Sequence, residues 1–216
     1  MLLIAGDIYQ NSVPSVEAIR VFERFLIKLN NLNITTFIIS GNHDSSDRLS
    51  YANEFFRESK IYISNSYSGK IEKISFEDNY GKINFYLFPY IKPSNVKRYF
   101  EDLEIYTYQD AVKAVIESID LDTDERNIMI SHQFILNAEL SESEEIYAGE
   151  AEAVSMNLYK DFDYVALGHI HKKQSFMNGK IRYPGALLKY ASSESNYEKS
   201  ITIVEIKEKN NLEISE

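Results

Sequence analysis

Four short apolar segments, rich in β-branched residues, each end abruptly in glycine or polar residues. They cover residues 1–7, 37–44, 127–134 and 163–171. Their apolar positions are continuous and not alternating, which is typical of strands buried on both faces in a sheet covered by helices. Ligands of such sheets bind at the carboxyl ends of the strands. The pattern therefore predicts an α/β fold whose polar strand ends share one edge.

Helical spacing and turn residues predict the remaining elements. Apolar residues between Pro14 and Asn31 recur at helical spacing, which indicates a crossover helix between the first two strands. Two more helices are expected over about 47–59 and 108–119. The later strands of the chain are expected to be antiparallel. The predicted hairpin strands are 70–76 with 82–88 and 174–177 with 180–183, and a last strand is expected at 200–207. We expect one domain spanning residues 1–216.

Composition limits the class of protein and the chemistry of any site. The chain is 44% hydrophobic and 26% charged, and no apolar run approaches the roughly 18 residues of a membrane span. We therefore expect a soluble protein that has no contact with membranes. The chain has no cysteine, which fits a reducing cytoplasm and excludes disulfides and thiolate ligands. Any metal must be bound by oxygen and imidazole.

The acidic balance of the chain argues against a generic surface for nucleic acid. The formal net charge is −10, whereas non-specific affinity for DNA comes largely from lysine and arginine. Part of the excess lies between Glu139 and Glu152, where six glutamates occur without a basic residue. A protein of this charge that acts on DNA would need cations and local basic groups at the phosphate, and a partner for most of the DNA contact.

All four histidines of the chain lie at or just after a predicted strand end. They are His43, His132, His169 and His171. Residues that only pack in a core have no reason to choose these places, although any one of them alone could be a structural or surface histidine. Together with Asp7 and Asn42, they predict a site at the carboxyl edge of the sheet.

Two sequences near these histidines are typical of metal chemistry. Asp7 follows Gly6, and its two carboxylate oxygens could bridge two cations, although a lone Gly-Asp is also common in simple turns. In Gly41-Asn42-His43-Asp44, the amide oxygen can ligate a metal and the imidazole can reach a phosphate oxygen. The alternative is a strand-to-loop turn in which Asn and Asp form hydrogen bonds to the backbone.

The pair His169 and His171 is two residues apart, so both rings leave an extended chain on the same side and could meet adjacent cations. The alternative is a pair of surface histidines. His132-Gln133-Phe134 is the least specific of these sequences. It is considered a candidate because an apolar run precedes it and because it lies between the other two histidine-containing sequences along the chain.

The order of these sequences resembles the calcineurin-like metallophosphoesterases. Longer stretches resemble one branch, the SbcD family of nucleases, over nearly the whole chain. They are LLIAGDIY, ISGNHDSSDRLS, DFDYVALGHIHKKQ and YPGALLKYASSE. The resemblance implies an α/β/β/α sandwich in which two mixed β-sheets are flanked by helices.

The resemblance also implies roles for individual residues. His43 would be the catalytic histidine, which stabilises the transition state or protonates the leaving oxygen, with Asp44 orienting it. The first metal would share Asp7 and bind His171. The second metal would be held by Asp7, Asn42, His132 and His169. Ligands without sulfur, taken with the resemblance, favour Mn²⁺, with Mg²⁺ as the other candidate.

The chain departs from the SbcD pattern at both ends and at Gln10. It opens at what would be the family's second strand, without the Asp-x-His sequence that completes the first metal site, and it ends without the family's capping region. Relatives often have an acidic residue where this chain has Gln10. We therefore expect one well-formed metal site, at Asp7, Asn42, His132 and His169, and a weak first site.

Three functions are compatible with these observations. The first is a DNA exonuclease and endonuclease that processes double-strand breaks and hairpins in a complex with an SbcC-like, SMC-type ATPase. The second is a metallophosphatase acting on phosphomonoesters, and the third is a catalytically weak scaffold that docks the ATPase. Candidate phosphate contacts are Arg48, Lys70, Lys172 and Lys173. A homodimer is expected, through the apolar residues Phe22, Phe25, Leu49, Tyr51, Phe55 and Phe56.

Overall fold

The computed structural model describes residues 1–140 and 152–216. Of the acidic segment between Glu139 and Glu152, residues 141–151 lie outside the described residues. Two β-sheets pack face to face and carry helices on their outer faces, which confirms the predicted α/β/β/α arrangement. Within the described ranges, no helix has the length and apolar character needed to cross a bilayer.

The first sheet is parallel and has the strand order β1-β2-β3. Its strands are β1 (Leu2–Ala5), β2 (Thr36–Ile39) and β3 (Ile61–Ile63). Its connecting helices are α1 (Val16–Asn31), α2 (Ser46–Leu49) and α3 (Asn53–Glu58). The helix α1 begins at Ser15, whose hydroxyl accepts a hydrogen bond from the Ala18 amide at 3.2 Å and so satisfies one unpaired donor of the first turn.

The second sheet is mixed and has the strand order β4-β5-β6-β7-β9-β8. Its strands are β4 (Glu72–Asp78), β5 (Gly81–Phe88), β6 (Arg126–Ser131), β7 (Tyr164–Leu167), β8 (Gln174–Phe176) and β9 (Ile181–Tyr183). Its helices are α4 (Pro93–Lys97) and α5 (Tyr108–Glu117). Strands β5, β6 and β7 are parallel neighbours, whereas β4 and β8 pair antiparallel to their hairpin partners.

Strand β2 shows why a central strand of this fold is apolar at every position. Phe37 and Ile39 face the second sheet, and the Phe37 ring stacks on Phe85 with the ring centroids 4.4 Å apart. Ile38 points the other way, into the cluster that contains Leu26 of α1. Burying each such side chain stabilises the fold by about 1.5–3 kcal/mol before the entropy cost. The continuous apolar pattern thus arises from two packed faces.

A C-terminal hairpin is held against the second sheet by Arg126. The hairpin consists of β10 (Ile203–Ile206) and β11 (Leu212–Ser215). The Arg126 side chain is buried, pairs with Asp78 and donates to the Lys207 carbonyl oxygen at 2.9 Å. A guanidinium can serve several acceptors at once because its donors form a fixed planar fork.

The predicted helices and hairpins are confirmed with one correction. The single helix expected over about 47–59 is in fact two short helices, because Ala52 adopts a left-handed conformation with φ 61° between them. Strands β3 and β11 and helix α4 were not predicted. Each has only three to five residues, which is too short for a periodic pattern to be distinctive.

Candidate metal centre

The carboxyl ends of four strands meet at one place and present polar side chains. Asp7 follows β1, Asn42 follows β2, His132 directly follows β6, and His169 follows β7. Two of these residues therefore come from each sheet. The ligand atoms of Asp7, His132 and His169 lie within 4.8 Å of one another. The predicted gathering of polar residues at the strand ends is present.

Asn42 lies at the middle of this cluster. Its Oδ1 atom is 3.0 Å from Nε2 of His132 and 3.0 Å from Nδ1 of His169. The Oδ2 atom of Asp7 is 3.3 Å from Nε2 of His132. Adjacent ligands at roughly 2.1 Å from an octahedral cation are about 3 Å apart. The spacing of the four side chains therefore fits a single divalent cation.

The hydrogen bonds of His132 determine which ring nitrogen can bind a cation. Its Nδ1 atom is 2.6 Å from the Ala5 carbonyl oxygen, which can only accept, so Nδ1 carries the hydrogen. Nε2 then faces two oxygens, from Asn42 and Asp7. In a neutral ring Nε2 has a lone pair, which both oxygens would repel unless a proton or a cation lies between them. A cation at this point satisfies all three groups.

Electrostatics act differently on the three residues of the cluster. Burial is the largest single influence on Asp7 and acts to raise its pKa, but the charge and hydrogen bond of His132, together with the contacts of His43, lower the pKa to about 2. Burial is also the largest influence on His132 and acts to lower its pKa, but the charge and hydrogen bond of Asp7, together with the Ala5 carbonyl oxygen and Asp44, raise it. Without a cation the cluster therefore favours a proton on Nε2 of His132, which a cation would have to displace. For His169, burial and then the charge of His132 lower the pKa to about 3. His169 is therefore a neutral imidazole at physiological pH.

The two ring nitrogens of His169 have different surroundings. Nδ1 lies 3.0 Å from the Asn42 amide oxygen, whereas Nε2 is buried and has no hydrogen-bond partner among the described residues. A cation beside Asn42 would meet Nδ1 and would not supply the partner that a buried Nε2 normally has. The backbone of His169 also has φ 97°, a conformation that costs energy for a residue with a side chain and is typical of functional sites.

Two glycines allow the loops to approach this closely. A Cβ atom at Gly41 would overlap the Asp7 carboxylate. One at Gly168 would overlap the Ala5 carbonyl oxygen and come within 2.7 Å of the His132 ring. Side chains at these positions would therefore separate the loops that hold the ligands.

His43 and Asp44 have different contacts. The Nδ1 atom of His43 is 3.0 Å from the Gln10 carbonyl oxygen, so the ring is oriented by the backbone of residue 10 whatever side chain stands there. The Asp44 carboxylate accepts hydrogen bonds from the amides of Ile8, Tyr9 and Gly41 at 2.9–3.1 Å. Burial is the largest influence on Asp44 and raises its pKa, despite these donors. Asp44 thus joins the loop after β1 to the loop after β2.

His171 is not part of the cluster formed by Asp7, His132 and His169. Its Nδ1 atom is 3.1 Å from Oε1 of Glu194, a fully buried carboxylate. Sequence reasoning did not single out Glu194. The segment YPGALLKYASSE contains it, but no local pattern indicates that this glutamate is buried.

A small cavity opens beside the cluster. It has a volume of about 170 Å³, and its lining residues are Asn42, Tyr90, Lys92, Tyr108 and Glu152. The hydroxyl groups of Tyr90 and Tyr108 are 2.9 Å apart, and the Tyr90 hydroxyl donates to Glu152 at 3.3 Å. A larger cavity of about 470 Å³ lies around Tyr67 and contains none of the ligand residues. The chemistry of the ligands, and not cavity size, identifies the site.

The four predicted phosphate contacts are not gathered around the cluster as a group. Lys172 forms an ion pair with Glu139, and Lys173 forms one with Glu216 at 2.5 Å. Arg48 and Lys70 are exposed. Exposed charges of this kind contribute little individually, and their positions do not single out a phosphate site.

Comparisons with known proteins identify a family for this chain. The family model for calcineurin-like phosphoesterase matches residues 1–173. The SbcD component of the nuclease SbcCD from Staphylococcus epidermidis is 37% identical over 210 residues, which is 95% of this chain and 55% of that protein. The chain thus spans about half the length of the curated relative it matches.

Among solved structures, the phosphopantetheinyl hydrolase PptH from Mycobacterium tuberculosis matches 85% of this chain and 78% of its own, with a TM-score of 0.45 and 11% identity. The resemblance to SbcD seen in the motifs is confirmed by the similarity along nearly the whole sequence. The family match covers every residue of the cluster, from Asp7 to His169. The chain belongs to the calcineurin-like phosphoesterase family.

Proposed function

We propose that this chain is the catalytic domain of a metal-dependent DNA nuclease that hydrolyses phosphodiester bonds as an exonuclease and endonuclease. The observation that carries the proposal is the convergence of Asp7, Asn42, His132 and His169 from two sheets onto one point. The similarity to the SbcD component of an SbcCD nuclease over 95% of the chain supports DNA as the substrate.

The proposed roles follow from the contacts of each residue. The cluster holds a divalent cation, for which we propose Mn²⁺, with Mg²⁺ as the alternative. When bound, the cation supplies positive charge that stabilises a phosphate under attack. Asp7 and His132, with Oδ2 and Nε2 3.3 Å apart, would hold that cation beside the phosphate. We propose that His43, whose Nδ1 atom is 3.0 Å from the Gln10 carbonyl oxygen, acts through Nε2 on a phosphate or leaving oxygen.

The cavity beside Asn42 is the proposed place for the nucleotide next to the scissile phosphate. Its volume of about 170 Å³ is below the roughly 300 Å³ of small drug sites, which suits one sugar or base. Tyr90 and Tyr108 provide rings and hydroxyl groups, and Lys92 provides a cation for a neighbouring phosphate. Aromatic rings beside a phosphate-binding site are typical of single-stranded nucleic acid recognition.

An acidic chain that acts on DNA needs partner proteins that supply positive charge. With a net charge of −10, the domain alone has few of the cations that give non-specific DNA affinity. We propose that an SbcC-like ATPase supplies most of the DNA contact and that the chain works as a homodimer. The exposed aromatic side chains Phe25, Tyr51 and Phe55 support a self-association surface.

The experiment compares cleavage of three substrates by the full chain with Mn²⁺ or Mg²⁺. They are a labelled single-stranded oligonucleotide, a duplex closed by a hairpin and p-nitrophenyl phosphate. The proposal expects Mn²⁺-dependent cutting of the oligonucleotide and the hairpin, and loss of that cutting in His169→Ala. Release of phosphate from the monoester alone would establish the phosphatase. If the chain binds no manganese at saturating concentration, the remaining function is a catalytically weak scaffold.

A further inference from the structure

Glu194 is a buried charged residue outside the part of the chain that the family model matches. It lies in the 3₁₀ turn Ser192–Asn196 and has an exposed fraction of 0%. The family match ends at residue 173. Glutamate is almost never fully buried unless it is paired. The partners of Glu194 therefore indicate why a carboxylate is kept there.

Glu194 links the ring of His171 to an ammonium group. Its Oε1 atom is 3.1 Å from Nδ1 of His171. Its Oε2 atom accepts hydrogen bonds from Nζ of Lys199 at 2.7 Å and from the Tyr190 amide at 3.3 Å. Nζ of Lys199 also donates to the His171 carbonyl oxygen at 3.1 Å. One ion pair thus contacts both the ring and the backbone of His171.

These contacts determine the tautomer of His171. An ionised carboxylate can only accept hydrogen bonds, so the hydrogen of a neutral His171 ring is on Nδ1 and its electron pair is on Nε2. Lys199 has only donors, and it engages the second oxygen of Glu194. The carboxylate is thereby held as a partner of His171, and the ammonium group balances its charge.

We propose that Glu194, paired with Lys199, is a positioning residue that fixes His171 as a ligand or hydrogen-bond acceptor through Nε2. The inference rests on the proposed function, because it gives His171 a role at the phosphate-binding end of the sheet. His132 has a related arrangement with a neutral partner, the Ala5 carbonyl oxygen at Nδ1. In the neutral form of both rings an acceptor at Nδ1 places the electron pair on Nε2. At His171 that acceptor is a carboxylate, whereas at His132 it is a carbonyl oxygen.

The test compares Glu194→Gln with Glu198→Gln, a matched control at an exposed glutamate four residues away. Glutamine keeps the shape of residue 194 but removes the charge and adds a donor. The first measurement is the ¹⁵N chemical shifts of the histidine rings in metal-free protein, which report the tautomer directly. The chain has four histidines, so single substitutions assign the signals. The second measurement is Mn²⁺ affinity, and thermal melting monitors the fold.

The expected result is a wild-type His171 in the Nδ1–H tautomer and a Glu194→Gln ring in which the Nε2–H form is populated. Cleavage, or the affinity for a second and weaker Mn²⁺, should fall by about 10- to 100-fold, as for other residues that orient metal ligands, whereas the tight site at Asp7, His132 and His169 should keep its affinity. Glu198→Gln should leave all three measurements unchanged. A His171 tautomer that is the same in wild type and Glu194→Gln would overturn the proposal.

Two further outcomes keep the inference separate from the nuclease proposal. The tautomer is measured without metal or DNA, so a wild type that does not cut DNA but shows the expected change would refute the nuclease and retain the positioning role. If Glu194→Gln does not fold, the tautomer of His171 in the wild type tests the proposal, because an Nε2–H tautomer there would refute it. Glu194→Asp, which keeps the carboxylate, should then preserve the Nδ1–H signal.

Discussion

His132, at the end of β6 in the second sheet, has its Nδ1 atom 2.6 Å from the carbonyl oxygen of Ala5, at the end of β1 in the first sheet. The hydrogen bond therefore crosses between the sheets at the point where the ligands converge. The ring is also 1% exposed. His132 is thus a structural link between the sheets as well as a proposed ligand, whereas its place in the sequence suggested only the second role.

This dual role predicts that His132→Ala and His169→Ala have similar Mn²⁺ affinities but different free energies of unfolding. Each should weaken Mn²⁺ binding by at least tenfold, because each removes one of four ligands. His132→Ala should also lower the free energy of unfolding by about 1–3 kcal/mol more than His169→Ala does. The reason is that the Ala5 carbonyl oxygen loses a buried hydrogen-bond partner. Calorimetric titration and urea unfolding measure the two effects. Unchanged affinity in both variants would reject the ligand assignment.

Metal stoichiometry provides a second prediction. In the described residues, Asp7, His132 and His169 form one cluster with metal-binding geometry, and His171 lies outside it. Titration of the wild-type chain with Mn²⁺ should therefore show one tight site per chain, with any second ion bound much more weakly. Two tight sites of similar affinity would contradict this ligand count.

Gly41 provides a test of the close approach between the loops. A Cβ atom in Gly41→Ala would overlap the Asp7 carboxylate, so the variant should move a ligand and reduce Mn²⁺ affinity. Gly81→Ala is the control, because a Cβ there meets nothing within 4 Å although φ is +91°. The control should lose about 1 kcal/mol of stability from backbone strain and keep its metal affinity. Equal metal affinity in both variants would show that the approach is not needed.

The pair of Arg126 and Asp78 predicts a dependence of stability on pH. The hydrogen bonds from Arg126 are the main cause that lowers the pKa of Asp78. Because the folded state favours the charged carboxylate, the pair stabilises the fold above the unfolded pKa, about 3.9, and the effect is lost as pH falls through the lower folded value. Asp78→Asn should be less stable than wild type at pH 7, and the difference should shrink below about pH 4. A constant difference down to pH 2 would argue against the ion pair.

Self-association should depend on the exposed aromatic residues near the first sheet. Tyr51 and Phe55 are 81% and 76% exposed. Leu49 is buried, and Phe22 and Phe56 are partly buried against the same core cluster, so these three contribute less to the predicted surface or not at all. Phe55→Glu should shift sedimentation toward the monomer. Tyr106→Glu, at an exposed site on the chain before α5, serves as the control. A wild type that stays monomeric throughout a concentration series would rule out this dimer.

Sequence patterns predicted the strand ends and the polar residues that gather there because both are local. An apolar run followed by Gly6-Asp7 or Gly41-Asn42 places the polar residue at the edge of a sheet wherever the strand is packed. Glu194 could not be found in this way, because its burial depends on His171 and Lys199, and no periodicity marks it. The break at Ala52 was also missed, since a left-handed alanine leaves no signal in the hydrophobic pattern.

The roles around His43 were also beyond the reach of the sequence. A carboxylate next to a catalytic histidine is a reasonable candidate to orient it. In the structure, the Asp44 carboxylate accepts from three amides of the neighbouring loops, and the Gln10 carbonyl oxygen lies at the His43 ring. Backbone carbonyls are the same in every sequence, so contacts of this type depend on loop conformation and not on residue type.

The origin of the ligands in both sheets links metal supply to folding. A cation held by Asp7 and Asn42 on one side and His132 and His169 on the other binds only when the sheets are docked. At a free concentration of 100 times Kd, binding of this kind adds about 2.7 kcal/mol to the stability of the native state. The cation would act as a removable cross-link, slowing hydrogen exchange at β1 and β2. Chelation would then increase the fraction of unfolded chains as well as stopping the chemistry.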